Sequence, residues 1–176
     1  MAQIGGNASH EVKKATQGFR AYFLQYTKSD TGFAQSIGKR LSLDEVSINP
    51  SAAEPARDEC KVVCSMTVEE DMVNGSSNLH GGCSAFLIDV CSSLALVAMS
   101  AAMYGEPMLS VSQSLNVVFH SPAALGDKLR IVNTTLTLGA RAMSVRTEIW
   151  NDTHKRLVCS GVHIKMQPSV KPAAKL

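Results

Sequence analysis

Aromatic side chains are scarce: five Phe, three Tyr and one Trp in 176 residues. With a net charge of only +2, the chain lacks both the stacking platforms and the basic stripe that nucleic-acid binding uses. Charged residues are also few, 18% against 45% hydrophobic. That balance excludes a disordered chain and predicts one folded domain with a sizeable core. A disulfide framework is missing as well. Cys60, Cys64, Cys83, Cys91 and Cys159 are odd in number and loosely spaced, so a reducing, intracellular setting is expected. Cys83 and Cys91 read as small core hydrophobes.

Other absences narrow the function. The opening MAQIGGNASHEVKK has no apolar run, so no secretory signal is expected. The glycosylation sequons at Asn7, Asn74, Asn133 and Asn151 should then be idle. His10, His80, His120, His154 and His163 show no metal-ligand spacing, and no metal site is expected. No P-loop or dinucleotide glycine pattern occurs, so no resident cofactor is expected. Internal repeats and low-complexity segments are also missing.

What the chain does have is one dominant stretch, Asn74 to Met103. A polar loop ends in His80-Gly81-Gly82, and from Gly82 to Met103 the only formal charge is Asp89. No Pro or further Gly interrupts until Gly105. This predicts one long helix, apolar on nearly every side and wrapped by the rest of the protein. Its length would also span a membrane, but a carboxylate in mid-segment and the missing aromatic belt argue against a span. Asp89 is costly in such a helix unless paired, hydrated or used. At the helix entry, unpartnered N–H groups and the positive dipole end suit an oxygen that gains negative charge.

The remaining segments follow in order. His10 to Lys28 has helical spacing, with Phe19, Phe23 and Tyr26 on one face, and packing on the core is its expected role. Residues 32–39 read as a connector, Leu41 to Ile48 and Cys60 to Val68 as strands, and Glu69-Glu70-Asp71 as a solvated strand end. Asn74-Gly75 is a turn dipeptide. After the helix, strands are expected around Val111–Phe119, Leu129–Leu138, Ala142–Trp150 and Leu157–Met166. The expected architecture is α+β, a mainly antiparallel curved sheet wrapped around one central helix, plus an N-terminal helix. The division is residues 1–40 for that helix and a connector, 41–167 for the domain, and 168–176 for an extended tail.

The central segment resembles the hotdog-fold acyl-CoA thioesterases of the phenylacetate-pathway type, which include the animal thioesterase-superfamily members. The family pattern is an Asn, a His-Gly-Gly six residues later, and an Asp nine residues after the His. Asn74, His80-Gly81-Gly82 and Asp89 keep both spacings. The resemblance continues through Val111-Ser112, Asn116, Ser121-Pro122-Ala123, Leu125-Gly126-Asp127 and Gly139, and covers roughly 41–165.

The resemblance implies a hydrolase acting on an acyl-CoA thioester, with CoA present only as part of the substrate. It implies that the Asn74 amide and the Gly81 N–H polarise the thioester oxygen and that Asp89 activates water. Ser112 would orient that water, and His80 would hold the loop in shape. Gly82, Gly139 and Arg141 are the expected CoA-binding positions. The family carries a basic residue directly after the Gly, whereas here Ala140 intervenes. Lys128, Arg130 and Lys165 are further surface candidates for the CoA phosphates. The acyl group is expected among Phe86, Ile88, Met103 and Met108.

Gly81 and Asp89 are eight residues apart, which on a helix is about 12 Å. One small reacting group cannot meet both within one chain, so a homodimer or dimer of dimers with shared sites is expected. Two alternatives remain open: an enoyl-CoA hydratase or dehydratase pairing an Asp with a His, and a non-catalytic acyl-CoA-binding protein. The ending Ala174-Lys175-Leu176 is a near match to the Ser-Lys-Leu peroxisomal address. A peroxisomal destination is therefore expected beside the cytoplasmic and mitochondrial ones.

Overall fold

The computed structural model describes residues 3–25, 32–139 and 141–168. The side chains of Tyr22 and Phe23, Tyr26, Ala140 and the ending Ala174-Lys175-Leu176 lie outside the described part.

Helix α1, His10–Gln25, begins where the Ser9 hydroxyl accepts the Val12 N–H, a side-chain cap for an orphan donor. Among its described side chains the buried ones are Val12 and Thr16, one turn apart, and α1 packs against the central helix. The segment before it lies along β1, Ser42–Pro50, with the Gly5 N–H donating to the Asp44 carbonyl and the Val46 N–H to Gly5.

The expected connector at 32–39 holds a short helix, α2, Gln35–Arg40. Ala34 enters it in the left-handed region at φ 51°, which propensity does not foretell for Ala. Glu69, Glu70 and Asp71 are exposed just past a strand end, as expected, and they do more than end it. These residues form a 3-10 turn, Glu70–Met72, and Asp71 pairs with Arg40 and accepts from the Ser36 hydroxyl. The acidic run is therefore the tether of α2, made by residues more than thirty positions away in sequence.

Helix α3, Gly81–Tyr104, has buried residues all round its circumference. It is the one described helix long and apolar enough to cross a membrane, yet 72% of its most apolar window is buried by the protein itself. Gly105 closes it at φ 78°, donating its N–H to the Ala101 carbonyl, the left-handed cap that favours glycine.

The other strands are β2 Asp58–Thr67, β3 Val111–Phe119, β4 Lys128–Leu138, β5 Ala142–Asn151 and β6 Arg156–Met166. They form one antiparallel sheet in the order β1-β2-β4-β5-β6-β3. Its inner face packs on α3 through Val46, Val62, Ile131, Val145 and Ile149, all fully buried. The two edges differ. The β1 edge is covered by residues 5–8, whereas β3 presents an open edge, exposed along most of its length. All five cysteines are buried and free.

Candidate active site

The His80 backbone N–H donates to Met72 and the Asn74 N–H to Asn78, which closes the loop ahead of α3. Asn74 and the start of α3 therefore share one end of the molecule. The Asn74 Oδ1 accepts the N–H groups of Ser76 and Asn78 at 2.9 and 3.3 Å. Because two donors claim the carbonyl oxygen, the amide NH2 must point the other way. It has no acceptor among the described residues. The Gly81 N–H likewise has none, as expected in the first turn of a helix. Two donors thus stand free at this end.

His80 caps α3, its Nδ1 accepting the Gly82 N–H at 2.9 Å. That bond engages the Gly82 donor and places the His80 ring proton on Nε2. Gly81 is also constrained on its outer side, since a Cβ there would lie 3.3 Å from the Phe119 ring.

Two turns along, Asp89 sits at the foot of a cavity of about 530 Å³. Its side chain is 44% exposed. The Ser112 hydroxyl donates to Oδ1 at 3.1 Å, so the structure brings together these two expected residues from α3 and β3. His163 Nε2 approaches the same oxygen at 3.4 Å. Oδ2 is left for solvent or substrate. The cavity wall is mainly apolar: Phe33, Ala34, Ala85, Phe86, Val90 and Leu115. Phe33 meets Phe86 edge-on, with ring centres 5.7 Å apart.

Several expectations change here. Lys165 was expected on the surface, but it is 4% exposed, and its ammonium donates to Ser93 Oγ at 2.7 Å. Burial pushes its pKa below the ordinary 10.5, with Asp89 pulling the other way. His163, considered in the sequence only as a metal ligand, is fully buried beside Asp89, with Nδ1 2.7 Å from Ser92 Oγ. Burial first, then the Lys165 charge, push its pKa below the ordinary 6.5, against the pull of Asp89.

The sequence carried a weak signal for this pair. Cys159, Gly161, His163 and Lys165 share one parity of a strand, and Val162, Ile164 and Met166 share the other, so the pattern alone does not choose the inner set. The strand buries the polar parity, and Val162 is exposed.

The expected acyl-binding set also divides. Phe86 lines the Asp89 cavity, but Ile88 is fully buried against Gly161. Met103 lines a separate cavity near the end of α3, with Met99, Arg57 and Leu138. Gly139 lines that second cavity too, and its N–H donates to Ala142 to close the β4–β5 turn. Arg141 is exposed at that turn. Arg130 is held by Asp152 and lies over Trp150.

Ser92, His163 and Asp89 form a chain of contacts like that of a serine hydrolase. Ser92 and His163 are both fully buried, so no substrate reaches that hydroxyl. The solvent-facing group of the cluster is the carboxylate.

Residues 77–158 match the thioesterase superfamily. Human acyl-coenzyme A thioesterase 13 is 34% identical over 105 residues, which is 60% of this chain and 71% of the relative. Mouse thioesterase superfamily member 2, a solved structure, is 31% identical with a TM-score of 0.55, over 61% of this chain and 81% of that one. The zebra fish thioesterase superfamily member 2 structure has a TM-score of 0.68 at 24% identity, covering 91% of this chain and all of that one, and so shares the fold.

Proposed function

Since the chain belongs to the thioesterase superfamily, we propose that it hydrolyses acyl-CoA thioesters with Asp89 as the base that activates water. The observation that carries this is the carboxylate itself: half-exposed, fixed at Oδ1 by Ser112, and open at Oδ2 onto an apolar cavity. Water bound at Oδ2 gives its proton to Asp89 as its oxygen bonds the thioester carbon. The carbonyl oxygen gains charge and is received by the Gly81 N–H and the Asn74 amide. Collapse breaks the C–S bond, and the proton passes from Asp89 to the departing thiolate. Arg141, exposed at the β4–β5 turn, is the cation assigned to the CoA phosphates.

Gly81 and Asp89 are eight helical residues apart, about 12 Å along the axis, so the oxyanion donors come from a second copy of the chain. The open β3 edge supports this. Val111, Leu115, Val118 and Phe119 are exposed along it, an arrangement that a lone soluble domain avoids. A hydratase would need its histidine at the substrate, and the histidine beside Asp89 is sealed.

The test is complementation. Asp89→Asn should cut turnover of an acyl-CoA, read as released thiol, by about 10²–10⁴-fold. Asn74→Ala should cut it by about 10²–10³-fold. Mixing equal amounts of the two inactive variants should restore about a quarter of wild-type activity, because half of the dimers are mixed and each has one intact site. No recovery on subunit exchange would place each site within a single chain and overturn the shared-site reading. Full activity of Asp89→Asn would overturn the base.

A further inference from the structure

Lys165 is a buried ammonium with no carboxylate in salt-bridge contact among the described residues. Such a charge is costly unless a counter-charge compensates it. The Lys165 Nζ donates to Ser93 Oγ at 2.7 Å, and the Ser93 hydroxyl donates to the Asp89 backbone carbonyl at 2.8 Å. On the sheet, Lys165 is the register partner of Ser112, whose hydroxyl holds the Asp89 carboxylate. The cation is therefore tied through Ser93 to the backbone of Asp89, and its strand position is paired with that of Ser112.

Among the described residues, the titratable groups facing Asp89 from packed elements are His163 and Lys165, both on β6. From β3 comes the neutral Ser112, and Gln35 is the neutral polar residue of α2 on the cavity wall. Arg20 of α1 is turned to the Leu41 carbonyl. On α3 itself the nearest titratable group is the Cys91 thiol, whose pKa is held well above 9.0 by Cys64 and by burial.

We propose that Lys165 is a positioning residue for the reaction: a buried cation beneath Asp89 that keeps the carboxylate ionised and aimed when the substrate's acyl group excludes water from the cavity. The need for it follows from the site. An apolar acyl group against Phe86, Leu115 and Val90 strips water from a base that is only half-exposed in the free protein. Desolvation alone would protonate the base and stop the reaction. A fixed positive charge below it opposes that without occupying Oδ2. The Lys165 charge also disfavours a second proton on His163. His163 then stays neutral, with Nδ1 2.7 Å from Ser92 Oγ and Nε2 3.4 Å from Asp89 Oδ1.

This inference rests on Asp89 being the base, and the test separates the two. The acid limb of the kcat pH profile reports the base in the substrate complex. In Lys165→Gln, which keeps a donor for Ser93 but loses the charge, that limb should move to higher pH. Lys165→Arg should return it toward the wild-type position. A loss of activity equal at all pH values, or a limb that stays in place, would overturn the proposal and leave Asp89 as base untouched.

A second measurement needs no change at position 165. The Lys165 Nζ titration, followed by NMR, should move to lower pH in Asp89→Asn, because the counter-charge is gone. An unmoved titration would show the two groups to be uncoupled and overturn the proposal even if Lys165→Gln does not fold. Turnover surviving in Asp89→Asn would instead remove the proposed reaction, whatever Lys165 does.

Discussion

Residue by residue, the site is a problem of protons. His163 lies inside the protein with its pKa below 6.5. Between that lowered value and 6.5 the unfolded chain binds a proton and the folded protein does not. Stability is therefore whole above pH 6.5 and falls as pH drops through that window. His163→Gln, which removes the titrating ring, should flatten this dependence. Urea midpoints at pH 7.5 and pH 5.5 check it: the wild type should lose more stability on acidification than the variant, and equal losses would refute it. The same residue limits how the site is read. Fully buried beside Asp89, it cannot hand a proton to substrate. Ser112, by contrast, is on the exposed side of the carboxylate and fixes one oxygen while leaving the other free.

At the level of elements, the contact between β6 and α3 sets where Asp89 stands. Gly161 is the close point. A Cβ added there would lie 2.7 Å from the Asn116 carbonyl oxygen and 3.2 Å from Ile88 Cδ1. Gly161→Ala should force β3, β6 and α3 apart and destabilise the fold by about 1–3 kcal/mol, read by chemical denaturation. An unchanged midpoint would show the contact to be slack. Because β6 also carries His163 and Lys165, turnover in this variant should fall more than its stability alone explains.

Helix α3 itself was legible in the sequence. It is long, uninterrupted and bounded by His80 and Gly105, and local signals of that kind do not depend on what packs around them. Helix α2 was not legible, because six residues led by an Ala in the left-handed region carry no periodic signal. What holds α2 is Arg40 on Asp71, a contact made only in the folded chain.

For the molecule as a whole, the question is what the open β3 edge meets. Val118 is 50% exposed and Phe119 60%. On a monomer, Val118→Glu would be a surface change worth little, within about 0.5 kcal/mol. If the edge joins a second copy, a charge there should split the assembly. The expected result is a monomer by light scattering with turnover lost in step, while the circular dichroism spectrum is unchanged. A variant that stays dimeric and active would move the interface elsewhere.

The sequence by itself determined the two long helices and the six strands in their order, the helix at the centre, and the spacing of Asn74, His80, Gly81 and Asp89. Each of these rests on local pattern, a periodicity of 2 or 3.6 or a fixed offset within one loop and one helix. Only the tertiary structure decided what surrounds Asp89. Both parities of β6 are largely apolar or small, so nothing local says which faces inward. Pairing of β6 with β5 and β3 and packing on α3 make that choice, and they turn His163 and Lys165 under the carboxylate. The same long-range contacts divided the expected acyl-binding residues between two cavities, because Phe86 and Met103 are seventeen helical residues apart, about 25 Å.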